Sequence, residues 1–152
     1  MKIALLAALL LVVPVTAANQ AAGAAPLMTV YKTPTCGCCA KWVTHMRENG
    51  FTVMVTDLND LSVIKQKHGV PGRLQSCHTG IVNGYVVEGH VPAADVTRLL
   101  KEKPAVVGLT VPGMPAGSPG MEVPGIQPPP YQVFTFDKAG STNVFATHGG
   151  GR

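Results

Sequence analysis

From Pro104 to Pro130, 13 of 27 residues are proline or glycine. Proline lacks the amide that a helix interior or a central strand needs, so this stretch is expected to be a loop or an extended wrap. A packed core must then come from residues 27–103, which hold all four cysteines, and from the β-like residues 131–147. Apolar residues make up 46% of the 152-residue chain and charged ones 13%, which argues against wholesale disorder. The formal charge is +4, yet the 12 cations are scattered from Lys2 to Arg152, so no nucleic-acid partner is expected.

Residues 1–18 read as a secretory signal peptide: Lys2, an apolar run from Ile3 to Val13, then small residues through Ala18. The run is too short to span a bilayer, and Pro14 closes it. Cleavage near Ala17 or Ala18 leaves a chain of formal charge +3 with no membrane segment. The expected location is a bacterial periplasm, an oxidising compartment.

Apolar periodicity divides the core. LMTVYK (27–32) and FTVMVT (51–56) read as strands. Between them Cys39, Trp42, Val43 and Met46 mark one face of a helix from Cys38 to Asn49, stopped by Gly50. A second helix is expected from Asp57 to His68, with Leu61 and Ile64 inward. Residues 79–82 and 85–88 flank Asn83-Gly84, a type I′ hairpin signal, and Pro92 opens a last helix carrying Val96, Leu99 and Leu100. Strand, helix, strand, helix, strand, strand, helix, with cysteines at the first strand–helix junction, is the order of an α/β, thioredoxin-like domain. A second hairpin, within residues 131–147, is expected to pack on it, followed by a frayed tail from His148.

The chemistry concentrates in Cys36-Gly37-Cys38-Cys39. Cys36 and Cys39 at a helix N-terminus face unpaired amides and the positive end of the helix dipole, which favours thiolates. Such a pair is a redox couple or two metal ligands. Gly37 permits the loop that Cys38 needs to join them. Cys77, in Ser76-Cys77-His78-Thr79 at the start of a core strand, can approach the same junction together with His78. Three thiols within four residues cannot all pair locally without a strained vicinal bridge, whereas a metal shares thiolates readily.

Two thioethers, Met114 and Met121, lie in the Pro/Gly stretch, and thioether with thiolate donors selects copper(I). As flexible apolar residues they equally suit surface packing. His90 reads as a ligand or a helix-start residue, and His45 and His68 as solvated.

Thr33-Pro-x-Cys-x-Cys-Cys39 with Trp42, Gly-Val-Pro at 69–71, Ser76-Cys-His-Thr79, Gly84-Tyr85, Glu88-Gly-His-Val-Pro92 and Pro-Gly-Met-Pro-x-Gly-Ser-Pro-Gly-Met-Glu at 112–122 resemble the CopG-type copper resistance proteins. The resemblance covers residues 27–136. It implies a periplasmic, thioredoxin-like metal-binding protein of copper tolerance, with more than one copper ion, Cu(I) or Cu(II), shared by Cys36, Cys38, Cys39 and Cys77. The leading reading is therefore a copper-binding protein more than an enzyme, with copper redox interconversion left open, His78, Met114 or Met121 assisting, and other periplasmic copper-handling proteins as partners. Three others stay open: a thiol–disulfide oxidoreductase attacking through Cys36 and resolving through Cys39, a structural zinc site, and two structural disulfides. Without metal, Cys36 and Cys39 are the pair expected to oxidise first.

Overall fold

The structure is a computed structural model and describes residues 24–150; the expected signal peptide lies outside the described residues. Seven strands and three helices follow in the order β1 (Leu27–Lys32), α1 (Gly37–Glu48), β2 (Thr52–Asp57), α2 (Ser62–Lys67), β3 (His78–Val82), β4 (Tyr85–Glu88), α3 (Ala93–Glu102), β5 (Gly108–Thr110), β6 (Tyr131–Phe136) and β7 (Thr142–His148). All strands join one mixed sheet in the order β2-β1-β3-β4-β5-β6-β7. β1 runs parallel to β2 and antiparallel to β3, and β4 runs parallel to β5.

Successive strand residues face opposite sides, so neighbours divide between two cores. Val87 joins the larger cluster with Met28, Val30, Trp42, Met46, Val96 and Leu99, which α1 and α3 cover. Val86 joins a smaller one with Val70, Leu74 and Phe136. The β3–β4 turn has φ of 48° at Asn83 and 84° at Gly84, as a type I′ hairpin requires. The indole N–H of buried Trp42 donates to the Val91 carbonyl at 2.8 Å and ties α1 to the segment leading into α3.

Four expectations are corrected. The stretch 104–130 is not all loop: Gly108–Thr110 forms β5, hydrogen-bonded between β4 and β6. No proline falls between Pro104 and Pro112, and Gly108 is what lets the strand in. A Cβ there would lie 1.9 Å from the Val86 carbonyl oxygen. As a result the β6–β7 hairpin joins the core through the sheet, β6 pairing with β5.

The second helix starts at Ser62, not Asp57, because Asp57 is held in β2 and paired with Lys32 at 2.8 Å. The Asp60 carboxylate accepts from both the amide and the hydroxyl of Ser62, a local alternative to helix. Its buried residue is Lys65.

His45 is half-buried rather than solvated, and its Nε2 accepts the Ala93 amide at 3.1 Å, capping α3 in place of Pro92, which offers no side-chain oxygen. His148 closes β7 rather than starting a frayed tail. Its Nε2 lies 2.6 Å from the Asp95 carboxylate and its ring stacks on Tyr131.

Candidate metal centre

Cys36 is the N-cap of α1, with extended backbone (φ −75°, ψ 94°), and its sulfur accepts the Cys39 amide at 3.3 Å. Standing outside the helix frees Cys36 from helical spacing, so its Sγ reaches both following cysteines. It is disulfide-bonded to Cys39 and lies 3.5 Å from Cys38 Sγ. Cys38 and Cys77 are free thiols. Cys77 immediately precedes β3, which pairs with β1, and Lys32 at the end of β1 stands opposite His78. That pairing carries Cys77 to the first strand–helix junction. The ligand atoms of Cys36, Cys38, Cys39 and Cys77 all lie within 4.8 Å of one another.

A second group shares Cys77. Its Sγ lies 3.3 Å from His78 Nδ1 and 3.0 Å from His90 Nε2. His78 is fully buried between the Trp42 ring, at a centroid distance of 4.3 Å, and the His90 ring at 4.9 Å. Its Nε2 has no hydrogen-bond partner among the described residues. Burial holds the pKa of His78 well below the ordinary value, with His90 and Lys65 adding to the effect. Burial likewise lowers that of His90, against the opposing pull of the Pro119 carbonyl. Both imidazoles are therefore neutral at pH 7, the form that binds metal. The Cys77 thiol is pushed up to about 11, first by burial and then by Cys38. A thiophilic cation would displace that proton.

The thioethers are carried by the loop that runs beside this group. The loop bearing Met121 lies against α1: a Cβ on Gly120, whose φ is +86°, would fall 2.6 Å from the Cys38 carbonyl oxygen. The Pro119 carbonyl meets His90 Nδ1 at 2.8 Å, and Met121 is partly buried. Met114 is 53% exposed, although its neighbour Gly113 donates its amide to Gln75 at 3.2 Å and accepts the Ser76 hydroxyl. The segments that bear both methionines are thus anchored at the borders of the cysteine site through Gly113, Pro119 and Gly120.

Sequence reasoning left His90 undecided and did not single out Glu88 or Lys65. Glu88 is fully buried and Lys65 nearly so, and they form an ion pair beneath Ser76 and Thr79. The available signal was period two in β4, which puts Glu88 on the same inward face as Val86.

Soft donors close together with neutral imidazoles beside them suit a thiophilic metal such as copper(I) or zinc, and the orphaned buried His78 Nε2 is a further free donor. Residues 74–121 match a family model described as "Protein of unknown function, DUF411". No curated protein matches. Two solved structures, titled "Copper resistance protein copG- Form 1" and "Form 2", are each 44% identical to this chain with a TM-score of 0.76. The alignments cover 82% and 81% of this chain and 98% of each neighbour. At that identity and coverage, the chain belongs to the CopG family of copper resistance proteins.

Proposed function

We propose that the chain is an exported periplasmic copper-binding protein of copper tolerance, built on a thioredoxin-like core. The core reading rests on the element order from β1 to α3 and on the strand order β2-β1-β3-β4. The observation that carries the copper reading is the convergence of four cysteine ligand atoms within 4.8 Å at the N-terminus of α1. Thiolates there bridge more than one copper(I) ion, and His78 and His90 complete the coordination beside Cys77. Met121 and Met114 serve as outer donors or as a cover against water. Copper is the cargo, taken from and passed to other periplasmic proteins.

The Cys36–Cys39 disulfide favours a redox role at the same site. Oxidising that dithiol to the disulfide releases two electrons, enough to reduce two copper(II) ions to copper(I). Cys38, Cys77 and the two histidines then remain as ligands.

The disulfide also suits a thiol–disulfide oxidoreductase. That mechanism calls for a proline at the start of β3, however, and the residue there is Cys77, with Pro71 standing further back ahead of a 3₁₀ turn. It also gives no task to Cys38, 3.5 Å from Cys36.

Metal analysis and anaerobic copper(I) titration of the reduced protein test the proposal. More than one equivalent of copper is expected, and fewer equivalents once Cys36 and Cys39 are oxidised, when only Cys38, Cys77 and the two histidines remain as ligands. One equivalent of zinc, or catalytic reduction of insulin that survives chelation and Cys38→Ala, would overturn it.

A further inference from the structure

Glu88 ends β4 with its side chain fully buried, and each carboxylate oxygen is engaged. Oε1 accepts the Ser76 amide at 2.7 Å and the Lys65 ammonium, and Oε2 accepts the Thr79 hydroxyl at 2.6 Å. Lys65 Nζ also donates to Thr79 Oγ1 at 3.1 Å. Ser76 is the residue before Cys77, and Thr79 is the residue after His78. One carboxylate thus holds both ends of the dipeptide that carries the Cys77 sulfur and the His78 ring.

A buried ion pair is a poor source of stability, since desolvation of the two charges consumes most of the attraction between them. An apolar pair would fill the same space at no such cost, but it could not accept the Ser76 amide. We propose that Glu88, with Lys65 as its counter-cation, is a positioning residue that orients Cys77 and His78 toward the cysteine cluster. Its neutral donors lie on β3 and on the segment just before it, while α2 supplies the charged donor, Lys65. The α2 cation matches the carboxylate so that a metal-bound Cys77 thiolate does not face an uncompensated negative neighbour. Outer-shell partners of this kind orient ligands in metal sites generally.

This inference rests on the cysteine cluster being the copper site, but one of its readouts needs no metal. In Lys65→Met/Glu88→Leu the pair becomes apolar and the Ser76 amide loses its acceptor. In Lys65→Met/Glu88→Gln the charges go, but an amide oxygen remains for Ser76 and an amide nitrogen for Thr79. Copper(I) retention is read by competition with a chromophoric chelator, and the alkylation rate of Cys77 is read in reduced, metal-free protein. The Leu variant should retain copper about tenfold more weakly and change the Cys77 rate severalfold, and the Gln variant should recover both toward the parent. If the Leu variant fails to fold, Thr79→Val removes the anchor on the His78 side and should shift the same two readouts in the same direction.

Parent-like retention and Cys77 rate in the Leu variant, or in Thr79→Val, would overturn the assignment. Equal losses in the Leu and Gln variants would overturn it too, since charge rather than hydrogen bonding would then matter. Failure of the parent itself to bind copper would instead refute the copper reading, with the Cys77 rates still deciding the role of Glu88.

Discussion

His90 Nε2 lies 3.0 Å from Cys77 Sγ, with its other ring nitrogen 2.8 Å from the Pro119 carbonyl. A carbonyl can only accept, so Nδ1 carries the proton and the Nε2 lone pair is directed at the cysteine site. His90→Gln should weaken copper(I) retention roughly tenfold in a chelator competition. Parent-like retention would remove His90 from the ligand set.

Cys77 is common to both groups of candidate ligands. Cys77→Ser should therefore cost more copper than Cys38→Ser, because a hard hydroxyl replaces a thiolate that both groups share. Cys36→Ser and Cys39→Ser should each abolish most binding as well. Copper stoichiometry after gel filtration of the reduced variants orders them, and full binding by Cys77→Ser would sink the proposed site.

Met114 and Met121 border the site, and replacing both with Leu keeps most of their apolar volume while removing the sulfurs. Thermal stability should stay within about 1.5 kcal/mol of the parent. Bound copper(I) should nevertheless oxidise or leave faster in air, followed by appearance of the copper(II) signal. Unchanged loss rates would reduce the methionines to packing.

Gly120 touches α1 through its backbone at positive φ, where a Cβ would meet the Cys38 carbonyl oxygen and the Trp42 amide nitrogen. Gly120→Ala should lift the loop, cost about 1–3 kcal/mol in denaturant unfolding, and free the His90 ring from Pro119. A variant as stable as the parent would show that the loop does not bear on the helix in solution.

His45 caps α3 only while its Nε2 is neutral, and burial lowers its pKa below 6.5 against the opposing fields of Glu122 and Glu48. The unfolded chain then binds a proton that the folded chain refuses. The contribution of the cap is complete above pH 6.5 and is lost as the pH falls through the lower, folded value. His45→Gln offers a non-titrating acceptor, so on going from neutral pH to about pH 5 the parent should lose more melting temperature than the variant. His45→Ala should be less stable by about 1 kcal/mol at neutral pH. Parallel melting curves for parent and His45→Gln across this range would rule out the cap as the titrating element.

The sequence by itself determined the local elements and the cysteine site's position on the chain. Period-two and helical spacing mark β1, α1, β3 and α3, and Asn83-Gly84 dictates its turn, because these signals depend on residues close in sequence. The register of β3 on β1, which carries Cys77 to the α1 N-cap, was legible only as far as the strand order suggested it.

Tertiary structure alone decided the remainder. Gly108–Thr110 looks like part of a loop until the Val86 backbone is seen to require a residue without a side chain beside it. Lys65 and Glu88 lie on separate elements 23 residues apart, and only the packing of α2 against β3 and β4 buries them as a pair. His45 and His90 gain their roles from partners 48 and 29 residues away, Ala93 and Pro119. A buried polar group must find a partner wherever the fold supplies one, and the spacing of residues along the chain does not reveal which partner that will be.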